Sequence, residues 1–173
     1  MYTLKKSLGQ HFLKDESVIL DIINQLKQET FSNLLEVGPG AGALTKYLIQ
    51  LPGINFKAVE LDDEKVLYLH QLFPQLQGKI IHQNFLDIEK PFKDPFAVIG
   101  NFPYNISTQI LFKLLDWRDD VPVIIGMFQK EVAERVAANP GSKVYGVTSA
   151  LIQPIYQIDY LFDVPPEKFN PPP

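Results

Sequence analysis

The chain has no cysteine among its 173 residues, so disulfides, thiolate nucleophiles and cysteine-ligated metal sites are excluded from the outset. Its three histidines, His11, His70 and His82, lack the short spacing of a metal-binding pair, and no carboxylate cluster accompanies them, so a metal site is not expected. No apolar run approaches the ~20 residues of a membrane span. The charged start Met1-Tyr2-Thr3-Leu4-Lys5-Lys6 has no signal-length hydrophobic stretch behind it. The chain therefore reads as cytoplasmic, with no membrane partner. It also lacks internal repeats and single-residue tracts, which argues against a solenoid or a disordered protein.

What is present is a globular composition, 46% hydrophobic and 21% charged, with a formal net charge of -4. That is enough apolar material for one substantial core, and residues 1–173 are expected to form one unit. A mildly acidic chain confines any polyanion site to a local basic patch. Lys5, Lys6, Lys14, Lys130, Arg135 and Lys143 are the candidates, although each taken singly is more often an ordinary solvated charge.

Hydrophobic periodicity gives an alternating order of elements. Val18, Ile19, Ile22, Ile23 and Leu26 recur at helical spacing behind Asp15, a natural amino-terminal cap, and predict a helix over 15–28. Strands are expected at 34–37, 56–60 and 79–82, with helices at 44–51 and 63–73 between them. After a looser stretch holding Pro91 and Pro95, a strand at 96–100 leads through Asn101-Phe102-Pro103-Tyr104 into a helix capped by Ser107. The almost wholly apolar run 121–128 reads as a central parallel strand covered on both faces. A helix over 129–138, ended by Asn139-Pro140-Gly141, follows, and 146–164 should hold a short helix and a final strand. Strands alternating with helices imply a Rossmann-like, doubly wound α/β sheet with ligand sites at the carboxyl ends of its strands.

Two segments carry chemistry. Gly38-Pro39-Gly40-Ala41-Gly42 joins the first β unit to its helix, where missing β-carbons let the backbone approach a ligand. Glu60 ends the next strand, about twenty residues on, and can accept both hydroxyls of an adenosine ribose. This geometry serves dinucleotides and S-adenosylmethionine alike. The Gly-x-Gly-x-Gly spacing departs from the dinucleotide fingerprint and favours S-adenosylmethionine. Asn101 supplies a side-chain carbonyl acceptor, the Phe102 backbone carbonyl a second, and Tyr104 a flat ring; together they suit the exocyclic amine of a planar base.

The blocks Lys6-Ser7-Leu8-Gly9-Gln10-His11-Phe12-Leu13, Glu36 to Gly42, Gly100 to Ser107 and Gln129 to Arg135 occur in this order, and with them the chain resembles the KsgA-type small-subunit ribosomal RNA adenine dimethyltransferases over essentially its whole length. The resemblance implies a class I methyltransferase fold, with a mostly parallel sheet lacking its last strand, and a missing carboxyl-terminal helical domain. It implies transfer of methyl groups from S-adenosylmethionine to N6 of two adjacent adenosines near the 3′ end of 16S ribosomal RNA, during maturation of the 30S particle, by a protein that is a monomer at full length. Carried over by position, His11, Leu13, Gly38, Gly40, Glu60, Asn84, Phe85 and Asn101 would hold the cofactor. Asn101, Phe102 and Tyr104 would act on the target amine, and Tyr104, Phe169, Lys5, Lys6, Lys130 and Arg135 would meet the RNA, while Gly42 serves helix packing. The chain has His11 where the family commonly has Asn, Asn84 where it often has an acid, and Phe102 where Leu is usual. Three rivals stay open at this point: an RNA-binding assembly factor without turnover, a DNA adenine methyltransferase, and an NAD-dependent dehydrogenase.

Overall fold

Residues that alternate sides along the inner strands decide the layering. The computed structural model describes residues 11–173. In chain order the elements are β1 (Phe12–Leu13), α1 (Glu16–Lys27), β2 (Asn33–Val37), α2 (Thr45–Leu48), β3 (Asn55–Val59), α3 (Asp63–Leu72), β4 (Ile80–Ile81), β5 (Ala97–Asn101), α4 (Ser107–Asp116), β6 (Val123–Met127), α5 (Lys130–Val136), α6 (Val147–Ile152) and β7 (Phe169–Asn170). A five-stranded sheet, parallel throughout, runs in the order β4-β3-β2-β5-β6. Leu34, Phe56, Ala58, Ala97 and Ile99 pack against α1, α2 and α3 on one face. Leu35, Val37, Val59 and Val98 pack on the other face, against Ile110 and Leu114 of α4 and the rings of Phe85 and Phe96. Each of the larger of these side chains, fully buried, is worth about 1.5–3 kcal/mol.

The α1 helix starts where its cap predicts: the Asp15 carboxylate accepts the Val18 N–H at 3.1 Å, and all five apolar residues of the stripe are buried. The start of α4 differs. Ser107 is its first helical residue and Ile106 its cap position, with no side-chain capping bond, because a turn of 3₁₀ helix over Tyr104–Ile106 feeds directly into the helix. The turn has already folded the chain into helix-like backbone, so no capping side chain is needed there.

Two expectations are overturned at the far edge of the sheet. The β6 strand is not central. Among the described residues it pairs only with β5, and all five of its residues are half-buried. Residues 155–164 form no strand, although α6 before them is as expected. Tyr156 and Ile158 of this segment pack on Leu111, Val136 and Ile152, while Tyr160, Leu161 and Phe162 are exposed. Between β6 and this segment runs a groove of about 1130 Å³. An extended segment separated from the sheet edge by such a gap has no ladder to join.

The two ends of the described chain are zipped together. β1 and β7 pair antiparallel, Phe12 opposite Asn170 and Leu13 opposite Phe169. The Lys14 N–H donates to the Lys168 carbonyl at 2.9 Å, and the Lys168 ammonium donates to Asp15 at 2.6 Å. No helix among the described residues is long and apolar enough to cross a membrane.

Candidate active site

Four loops leave the carboxyl ends of the neighbouring strands β4, β3, β2 and β5 and surround a cavity of about 190 Å³. One water needs roughly 10–15 Å³, so the cavity is sized for a small molecule. Gly38 and Gly40 form its floor, both with positive φ, 71° and 56°. A β-carbon on Gly40 would stand 2.9 Å from the Phe12 ring, so β1 is seated directly on the glycine loop. The neighbouring Gly42 faces away from the cavity, with the Phe73 ring 2.7 Å from where its β-carbon would be, which is the helix-packing role expected of it.

Glu60 forms one wall. Its carboxylate is buried and accepts two backbone N–H bonds, from Gly40 at 3.1 Å and Asp62 at 3.0 Å. A carboxylate has about four lone-pair sites, so each oxygen keeps capacity for a further donor. Burial raises the Glu60 pKa, and the N–H bonds from Asp62 and Gly40 oppose it. Behind the loop, Glu36 is buried completely and its carboxyl is pushed up to about 8, first by burial and also by the nearby charge of Glu60, against the lowering effect of the Thr45 hydroxyl that donates to it at 2.5 Å. With its pKa pushed up to about 8, the Glu36 carboxyl keeps its proton at neutral pH. A neutral Glu36 leaves the charge to Glu60, the one that faces the cavity.

The far end is built by Asn84 and Phe85. The Asn84 side-chain oxygen accepts the Leu86 N–H at 3.0 Å and so starts the turn of 3₁₀ helix Phe85–Asp87. At the mouth, the Asn101 amide donates from Nδ2 to the His11 carbonyl at 2.7 Å, which fixes the amide plane and leaves Oδ1 as its acceptor. The Asn101 backbone oxygen is 3.4 Å from the place a Gly38 β-carbon would take. Gly100 makes that approach possible, since a β-carbon there would lie 2.2 Å from the Val37 carbonyl oxygen. Phe102 is buried, its ring edge-on to Phe128 at 5.2 Å, so its backbone carbonyl is held rather than its side chain presented.

Other expected residues fall elsewhere. Leu13 does not line the cavity: pairing with Phe169 turns its side chain into the core, and Phe12 lines the cavity instead. Tyr104 lines the adjoining groove, and the His11 ring, which does line the cavity, stacks on it at 5.1 Å with 26° between planes. His11 is held there by Nδ1, 2.9 Å from the Pro171 carbonyl oxygen. Phe169 is 2% exposed within the main core cluster, so it offers no free face to a base. Lys130 and Arg135 are exposed on α5, with Lys130 bonded to Asp163 at 3.1 Å. Lys5 and Lys6 lie outside the described residues. Phe12 and Leu61 also line the cavity; Phe12 stands within the Lys6–Leu13 block, which assigns it no role, and Leu61 carries no sequence signal of its own.

The sequence model of the ribosomal RNA adenine dimethylase family matches residues 1–173. The chain belongs to this family. Among adenine dimethylase relatives it is similar to Ribosomal RNA small subunit methyltransferase A of Cytophaga hutchinsonii, 52% identical over 172 residues that cover 98% of this chain and 67% of that protein. The protein of the same name from Parabacteroides distasonis is 53% identical over 173 residues, covering 98% of this chain and 64% of that one. The chain thus spans about two thirds of the length of these relatives. In three dimensions it is similar to a dimethyladenosine transferase from Plasmodium falciparum, with a TM-score of 0.82 and 28% identity over 94% of this chain and 59% of that chain. The five-stranded parallel sheet with helices on both faces is the Rossmann-like fold of class I S-adenosylmethionine-dependent methyltransferases.

Proposed function

We propose that residues 1–173 are the catalytic unit of an enzyme that transfers methyl groups from S-adenosylmethionine to N6 of two adjacent adenosines near the 3′ end of small-subunit (16S) ribosomal RNA. It acts in the cytoplasm on the immature 30S particle, giving N6,N6-dimethyladenosines, and as a monomer at full length. The observation that carries this reading is the Asn101 amide, locked by the His11 carbonyl at the rim of a glycine-floored cavity.

The residues present fit the cofactor. Gly38 and Gly40 give a floor without side chains. Glu60 keeps acceptor capacity for the ribose hydroxyls, and donors placed there favour its ionised form. Asn84 and Phe85 meet the adenine. His11 and Asn101 border the end where the sulfonium supplies its already activated methyl group. The protein's work is then alignment. Asn101 Oδ1 and the Phe102 carbonyl accept the two hydrogens of the target amine and orient its nitrogen lone pair toward the cavity. The Tyr104 ring stacks on the unstacked base, a contact worth about 1–3 kcal/mol. Its phenol stays protonated, its pKa raised by burial and then by Glu131. Lys130 and Arg135 on the exposed side of α5 steady the RNA backbone, with Lys5 and Lys6 supporting them.

The test is Asn101→Ala, assayed by radiolabelled methyl transfer to under-methylated small subunits. Loss of a preorganised polar group at the reacting centre should lower turnover by about 10²-fold, with cofactor affinity changed little. Turnover equal to that of the parent protein refutes the role.

A further inference from the structure

The far end of the cavity is gripped from behind by a cation. Lys113 lies on α4, the helix that leaves the Asn101 turn, and is half-buried. Its ammonium donates to the carbonyl oxygens of Leu86 at 2.8 Å and Ile88 at 2.6 Å. The same ammonium stands 5.5 Å from the centre of the Phe85 ring and 5.1 Å from that of Trp117, and the two rings meet edge to face at 5.7 Å. Burial lowers the Lys113 pKa, opposed by the charges of Asp87 and Asp116.

These contacts enclose the segment that carries Asn84 and Phe85. Leu86 is fixed through both of its backbone polar groups: its N–H by the Asn84 side chain at 3.0 Å, its carbonyl by Lys113. The Ile88 carbonyl, just past the end of the turn, is satisfied by the same ammonium. Carbonyls at the end of a helical turn lack partners within the turn, and a cation is the group best suited to hold two of them at once. The cation also sits against the ring that lines the cavity. The position of that ring, and of the Asn84 amide one residue before it, therefore depends on Lys113, although Lys113 itself is not among the residues lining the cavity.

We propose that Lys113 is a positioning residue for the cofactor's base: it sets the turn from residue 84 to residue 88 so that Asn84 and Phe85 discriminate adenine. This deepens the cofactor reading above and rests on it. Without the ammonium, two carbonyls lose their partner, the turn relaxes, and selectivity for the base falls before the fold does.

The experiment is calorimetric binding of S-adenosylhomocysteine and of S-inosylhomocysteine, in which a carbonyl replaces the adenine amine, to the parent chain and to Lys113→Met and Lys113→Arg. The parent should prefer the adenosyl compound. In Lys113→Met the adenosyl affinity should fall about tenfold, the scale of one charge-assisted hydrogen bond, and the preference for adenine should shrink. Lys113→Arg, which restores cationic donors, should recover most of the preference. If Lys113→Met fails to fold, Lys113→Gln takes its place, expected to show the same reduced preference. An undiminished preference in a folded neutral variant overturns the proposal, as does an equal loss for both compounds, which would mark a general structural role. Failure of the parent chain to bind either compound would instead overturn the cofactor reading, and would be seen before any variant is made.

Discussion

Glu36→Gln isolates the buried carboxyl behind the glycine loop. The native pKa of Glu36 is about 8 against an ordinary value of 4.5, so between those values the native state holds a proton that the unfolded chain has released. Its contribution to stability is complete below about pH 4.5 and is lost as pH rises toward 8. The slope is at most about 1.4 kcal/mol per pH unit, or ~2.7 kcal/mol between pH 5.5 and 7.5. Glutamine keeps an oxygen to accept the Thr45 hydroxyl and cannot ionise, so the variant should lack this slope. Urea unfolding of both proteins across that interval reads the difference, and the raised pKa of Glu60 contributes to both curves. Parallel stability curves would refute the argument that Glu36 is protonated in the native protein at neutral pH.

Glu60→Gln should weaken S-adenosylhomocysteine binding by about tenfold, since hydrogen bonds to a charged acceptor are worth about 1.5–3 kcal/mol; calorimetry checks it, and an unchanged affinity removes the ribose assignment. Gly100→Ala should destabilise the fold by about 2–3 kcal/mol or more, because the new methyl meets the Val37 carbonyl oxygen at 2.2 Å and the end of β5 must shift away from β2. A thermal melt matching that of the parent would contradict it.

The parts legible in the sequence are those whose causes are local. The Asp15 cap, the glycine loop at the end of β2 and the Asn101 turn at the end of β5 follow from neighbouring residues, and each stands where its pattern predicts. Edge or centre, by contrast, is a property of a strand's neighbours. The run 121–128 is apolar enough to be covered on both sides, yet nothing in it reports that the next extended segment stands off across a groove. The direction of the Leu13 side chain is hidden for a related reason: it is set by register with Phe169, some 156 positions away. Helical spacing assigns Ile110, Leu111, Leu114 and Leu115 to the buried stripe of α4, of which Leu115 is only partly buried, and gives no role to Lys113. Its grip on the Leu86 and Ile88 carbonyls is a tertiary contact no periodicity encodes.

The pairing of β1 with β7 has a consequence for the order in which the protein becomes competent. Phe12, seated over Gly40, belongs to a strand whose partner is made some 158 residues later, and His11 just before it is bonded to both Asn101 and Pro171. Glycine loop, acidic strand end and base turn can all assemble while the chain is still being synthesised, but the roof over them closes only when residues 169–171 have emerged. A nascent chain would thus carry an open, unroofed pocket until the end of this stretch, and competence for ligand should arrive late.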